Sequence, residues 1–128
     1  MGYVLDTSVL LAYLKQEVGG DVLQHYLEGD CYLSVVNQIE FYSYFVRVGL
    51  QVDEAEWFID QMGISIKPLD EMQVALAARM LDTTKSHGLS LGDRVCLALA
   101  ISLATPVITA DRLWSNVKTD AEIVQIRS

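Results

Sequence analysis

Two rhythms of apolar and polar positions run along this chain. Tyr3-Val4-Leu5 is a short β-prone apolar run that ends on Asp6. Thr7 and Ser8 follow, then a second apolar run, Val9-Leu10-Leu11-Ala12-Tyr13-Leu14. This pattern predicts a buried strand, a sharp polar turn and a helix. Gly19-Gly20 interrupts it, and Asp21 suits the cap of a short helix over residues 22–27. Cys31-Tyr32-Leu33 reads as a second strand. Ser34 stands at an N-cap position before a long helix over residues 35–48, stopped by Gly49.

The same alternation continues to the end. Asp53-Glu54 opens a helix reaching about Met62, and Ile64-Ser65-Ile66 is a strand ended by Pro68. Asp70-Glu71 starts an Ala-rich helix over residues 72–85, with acids where the helix dipole favours them. After the His87-Gly88 turn, Leu89-Ser90-Leu91-Gly92-Asp93 leads into a helix over residues 94–103. Pro106-Val107-Ile108-Thr109 is a strand that runs into Ala110-Asp111-Arg112, with a short helix or turn through Trp114. Ile123-Val124-Gln125-Ile126 is a last, edge strand. Strands alternating with helices imply an α/β fold, a mostly parallel sheet covered on both faces.

Composition sharpens this picture in three ways. A chain of 128 residues, 52% of them hydrophobic, suits one domain over residues 1–128 with its own core. No apolar run reaches the ~18 residues of a membrane span. Met1-Gly2-Tyr3 has no basic stretch before its apolar run, so no secretion signal is expected and a cytoplasmic location is. Cys31 and Cys96 are far apart in apolar surroundings, which predicts buried free thiols. The net charge of −8 disfavours broad electrostatic binding to nucleic acid but leaves room for divalent cations or a basic partner.

Four acids stand in apolar or turn contexts rather than in surface charge runs: Asp6, Glu40, Asp93 and Asp111. Asp6 and Asp111 each follow a strand, the place where open α/β sheets put their ligands. Grouped carboxylates repel one another and raise each other's pKa, and a divalent cation reverses that penalty. Mg²⁺ and Mn²⁺ prefer such oxygen donors. There is no Cys or His cluster for zinc, and with only His25 and His87, both expected at the surface, a Ser-His-Asp hydrolase is poorly supported. Each acid also has a plainer explanation. Asp6 and Asp93 suit helix starts, Glu40 a solvated helix face, and Asp111 a turn.

Tyr3-Val4-Leu5-Asp6-Thr7-Ser8, Glu40, residues 88–100 from Gly88-Leu89 to Ala100, and Pro106-Val107-Ile108-Thr109-Ala110-Asp111-Arg112 recur in order over nearly the full length. In this the chain resembles the PIN-domain ribonucleases of the VapC type, toxins of bacterial toxin–antitoxin pairs. The resemblance implies a PIN-like three-layer fold with a five-stranded parallel sheet of order 3-2-1-4-5. It implies that Asp6, Glu40, Asp93 and Asp111 hold Mg²⁺ or Mn²⁺, Asp111 being the least certain direct ligand. It further implies water attack on an RNA phosphodiester, with tRNA or rRNA as the expected substrate class, a homodimer, and a cognate antitoxin that lies in an apolar groove and enters the acidic site.

Other residues take supporting places in this reading. Ser8, Thr109 and Thr7 are candidates to orient carboxylates, although local turn bonds would use the same hydroxyls. Arg94 and Arg112, each next to a site acid, are candidates to meet RNA phosphates at the rim, or equally to form surface ion pairs. Trp114 suits either base stacking or a packed loop anchor, the latter better. Two alternatives from other classes stand beside the nuclease. A receiver-like phospho-acceptor module shares the length, acidity and α/β pattern, but the first strand lacks an adjacent acidic pair. A PIN-fold scaffold without catalysis would have no need of all four acids.

Overall fold

The structure, a computed structural model, describes residues 1–127. Its elements follow the sequence rhythm: β1 (Gly2–Leu5), α1 (Thr7–Leu14), α2 (Leu23–Tyr26), β2 (Asp30–Ser34), α3 (Val35–Arg47), α4 (Val52–Met62) and β3 (Ser65–Lys67). Then come α5 (Glu71–Arg79), α6 (Leu81–Thr84), α7 (Leu91–Leu103), β4 (Val107–Thr109) and β5 (Ile123–Gln125). The five strands form one sheet of order β3-β2-β1-β4-β5. All four pairings are parallel, so β5 is an edge strand as expected.

Strand periodicity sorts the core. Leu5 and Ile108 face a layer with Val9, Leu10, Leu33, Phe41 and Phe45, while Val4 and Val107 face Cys96, Leu97, Leu99 and Trp114. Helices cover both faces, which makes three layers and buries all of β4 and the Val4-Leu5 end of β1. Both cysteines are buried and free. Among the described residues, no helix is long and apolar enough to cross a membrane.

Four local differences from the predicted elements have physical reasons. Thr7 and Ser8 are helical rather than a turn, because the Asp6 carbonyl already accepts from Val9 N–H at 3.1 Å. Asp21 caps nothing and lies within a 3-10 turn at Gly20–Val22. The Ala-rich helix is broken after Arg79, where the Thr83 and Thr84 hydroxyls both donate back to the Met80 carbonyl and compete with the helix ladder. At α7 the helix starts earlier than residue 94, because Ser90 and Asp93 form a reciprocal capping box.

Candidate active site

The site is built where β1 and β4, neighbours at the reversal of strand order, reach their carboxyl ends. β1 delivers Asp6 there, buried, with its backbone N–H bonded to Ile108 O at 3.0 Å. Asp6 takes the N-cap position of α1, yet its side chain makes no cap bond. Its Oδ2 instead accepts from Ser8 Oγ at 2.5 Å and from Thr109 Oγ1 at 2.9 Å. The hydroxyl directions are set by the backbone, since Ala110 N–H donates to Ser8 Oγ at 2.9 Å and Asp111 N–H to Thr109 Oγ1 at 3.0 Å. Each hydroxyl accepts on one side and gives its proton to Asp6 on the other, a polarised chain that strengthens both bonds. Ser8 and Thr109 therefore each make a backbone bond and a bond to the Asp6 carboxylate at once.

Glu40 comes from α3, whose Ser34 cap accepts from Val36 N–H at 3.2 Å. The residue is exposed, but Oε1 is held, accepting from Thr7 Oγ1 at 2.8 Å and from Asn37 Nδ2 at 2.7 Å. Asp93 is half-buried in the first turn of α7, where Oδ2 accepts from Ser90 N–H at 2.8 Å. Asp111 follows β4 and caps a 3-10 turn at Arg112–Asn116, its Oδ1 accepting from Leu113 N–H at 2.9 Å. The capping explanations thus hold for one oxygen of Asp93 and one of Asp111, and fail for Asp6.

One regularity joins the four. Each commits a single oxygen to the scaffold, and the other (Asp6 Oδ1, Glu40 Oε2, Asp93 Oδ1, Asp111 Oδ2) takes no hydrogen bond among the described residues. Nor does any Lys, Arg or His among them form an ion pair with these acids; the ion pairs found are those of Lys15 and Arg127 with Glu17. The electrostatics follow. Burial, with repulsion from Asp93 and Glu40, pushes the Asp6 carboxyl up to about 7 against the pull of the Ser8 and Thr109 hydroxyls. Burial also raises Asp93, with Asp111 and Glu40 adding repulsion. Burial raises the Cys96 thiol well above its usual range, with the same acids contributing, so it packs as an inert apolar group.

The donor set suits a hard divalent cation: four carboxylates, each half-fixed, in a region short of positive charge. Among the described residues no three His, Cys, Asp or Glu side chains stand close enough to form a ready-made cage. That arrangement fits an ion that keeps most of its waters and takes one or two carboxylates directly, as Mg²⁺ does.

The neighbouring candidates separate clearly. Arg112 is exposed beside Asp111. Arg94 is half-buried against α5, where Nη1 donates to Ala77 O at 2.9 Å and Nε is buried without a partner among the described residues. Its guanidinium ties α7 to α5 and forms no ion pair among the described residues. Trp114 is fully buried and closes the core under the β4 end, which excludes base stacking. Two residues escaped the sequence reading, Asn37 and Gly92. The signal for Asn37 was present: an amide on the apolar stripe of α3, four and eight positions before Phe41 and Phe45.

Comparison with known proteins agrees with the architecture. The family model described as the PIN domain matches residues 3–119. Among solved structures, a toxin–antitoxin complex from Klebsiella pneumoniae superposes with a TM-score of 0.76 at 13% identity, covering 97% of each chain. A VapBC-5 toxin–antitoxin structure from Mycobacterium tuberculosis gives 0.65 at 24% identity, covering 99% of this chain and 98% of that one. VapC20 of the same organism, described as a Sarcin-Ricin loop cleaving toxin, gives 0.71 at 10% identity over 94% and 98%. At these identities the likeness is one of fold. No curated protein sequence matches the chain.

Proposed function

This chain belongs to the PIN-domain family, and on that premise we propose that it is a metal-dependent endoribonuclease, the toxin of a toxin–antitoxin pair. The observation that carries this reading is the pattern of four acids, Asp6 and Asp111 at the carboxyl ends of β1 and β4, Asp93 in the first turn of α7 and Glu40 in the second turn of α3. Each has one oxygen fixed and one free, and none has a cationic partner among the described residues.

Asp6, Glu40 and Asp93 would hold Mg²⁺ or Mn²⁺, with Asp111 at the border of the set. A cation bound there supplies charge neutralisation at the phosphate and a more acidic water for in-line attack. The chain's own residues supply aim. Ser8 and Thr109 hold Asp6, Thr7 and Asn37 hold Glu40, and the Ser90 N–H holds Asp93. Arg112 is free to meet a phosphate at the rim. No protein nucleophile is needed, and cleavage leaves a 5′-phosphate and a 3′-hydroxyl.

The partners follow from the same surfaces. The substrate is RNA, of which structured tRNA or rRNA is the class to try first. A cognate antitoxin would bring basic groups to the acids and apolar side chains to the hollow lined by Phe45, Trp57 and Phe58. A homodimer acting in the cytoplasm, each copy a single PIN-like domain over residues 1–128, completes the proposal.

A labelled tRNA or rRNA transcript should be cut by the purified chain with Mg²⁺ or Mn²⁺ and remain intact in EDTA. Asp6→Asn and Asp93→Asn should each slow cleavage by about 10²–10³-fold, the scale of losing one transition-state charge contact. Full Mg²⁺-dependent cleavage by both variants would overturn the assignment. The capping bonds of Asp93 and Asp111 favour one competing reading, a PIN-fold scaffold that keeps these acids for stability. Complete lack of Mn²⁺ affinity at the cluster would favour that scaffold.

A further inference from the structure

Asn37 has no exposed surface and occupies the stripe of α3 that otherwise carries Phe41 and Phe45 into the core. Its Nδ2 donates to Glu40 Oε1 at 2.7 Å and to the Gly92 carbonyl at 3.2 Å. Those two acceptors fix the amide orientation, because a flipped amide would set its oxygen against both. Its Oδ1 is buried and finds no donor among the described residues. A buried amide with an unmet oxygen carries a desolvation penalty that an apolar side chain at this place would avoid. The amide therefore destabilises its own surroundings while it holds a carboxylate on one side and α7 on the other.

Gly92 answers it from the facing helix. It lies in the first turn of α7 without a positive φ, so backbone freedom does not explain the glycine. Space does. A Cβ at this position would lie 2.7 Å from Glu40 Cδ and 2.9 Å from Oε1. Only a residue without a side chain leaves the carboxylate where it stands, since a Cβ would make it swing aside, and the Gly92 carbonyl is the second acceptor of Asn37.

We propose that Asn37 and Gly92 form a seat for Glu40. Asn37 is a positioning residue that clamps Oε1 and pins α3 to α7. Gly92 clears the volume the carboxylate fills, at the start of the helix that carries Asp93. The inference rests on reading Glu40 and Asp93 as cation ligands, and deepens it by naming what sets their separation.

Mn²⁺ titration calorimetry, with thermal melts in EDTA, tests the seat on the full chain and its Gly92→Ala, Asn37→Ala, Glu40→Gln and Gly92→Ala/Glu40→Gln variants. Gly92→Ala should weaken Mn²⁺ binding by about 10-fold or more, the usual scale for a supporting group. Its Tm should hold or rise, because Ala favours a helix interior over Gly. The double variant should bind no more weakly than Glu40→Gln alone, since both changes remove the same ligand. Asn37→Ala should match Gly92→Ala in affinity; should it fail to fold, Gly92→Ala still decides. Wild-type affinity in Gly92→Ala, or additive losses in the double variant, would overturn the seat. Absence of Mn²⁺ binding by the wild-type chain, or wild-type affinity in Glu40→Gln, would overturn the ligand reading and the seat with it.

Discussion

The acid cluster and the aromatic wall behind it are built on opposite principles, although α1 and α3 contribute to both. Along the wall, Phe41 packs edge-on against Phe45 at 5.2 Å between ring centres, and Phe58 meets both Phe41 and Tyr13. These contacts are apolar and indifferent to pH. At the acid cluster every group is held by a directed hydrogen bond, and the charges oppose one another. One region stabilises the fold. The other is held in place by it, and its buried, mutually repelling carboxyls cost stability.

Substitution should expose that contrast, beginning with its largest effect. Phe41→Ala should lower the unfolding free energy by about 3–5 kcal/mol, the range for a buried aromatic, and leave the Mn²⁺ affinity of the folded fraction unchanged. Denaturant titration read beside calorimetry checks both halves.

The metal-free protein should respond to pH in the opposite sense from most proteins with carboxylate ion pairs. Asp6 stays protonated in the folded chain up to about pH 7, whereas the unfolded chain ionises it from about 3.8. Across that window the folded state binds the extra proton, so stability falls as pH rises, by up to about 4 kcal/mol for the full shift. Asp93 adds a contribution of the same sign. Melts in EDTA should therefore show Tm declining from pH 4 to 7, with Mn²⁺ restoring it at the upper end. A flat profile would mean that burial does not hold the Asp6 carboxyl above its ordinary range.

Asp6→Asn removes the same penalty permanently. At pH 8 in EDTA it should raise stability by up to about 4 kcal/mol, and in Mg²⁺ it should lose most RNA cleavage, a split that a packing residue does not produce. Ser8→Ala leaves Asp6 one donor short and should weaken Mn²⁺ binding by about 10-fold. The smallest effect is expected at Trp57, which is 61% exposed. Trp57→Ala should move stability by no more than about 0.5 kcal/mol, so any large loss of antitoxin binding by that variant would report the surface alone.

The fold was legible because its signals are local. A β-prone run ending on Asp6, the Ser34 cap, and Gly49, Gly63 and Gly88 at positive φ each announce an element boundary without help from the rest of the chain. The four acids were legible as isolated charges in apolar surroundings. What the sequence left hidden depends on distance in space. Asn37 meets Gly92 across 55 positions, and Ser8 accepts from Ala110 across 102. Arg94 showed the reverse limit: it stands next to Asp93 in the chain, but its Nη1 donates to the Ala77 carbonyl of α5. Adjacency along a helix does not set direction, because successive side chains diverge by about 100°.

The most direct test is diffraction from crystals of the wild-type chain soaked in MnCl₂, with data collected for the manganese anomalous signal. A single strong peak bounded by Asp6, Glu40 and Asp93, within coordination distance of at least one free carboxylate oxygen, is the predicted result. A well-diffracting crystal at saturating Mn²⁺ with no peak there, or with its only peak elsewhere, would contradict the account.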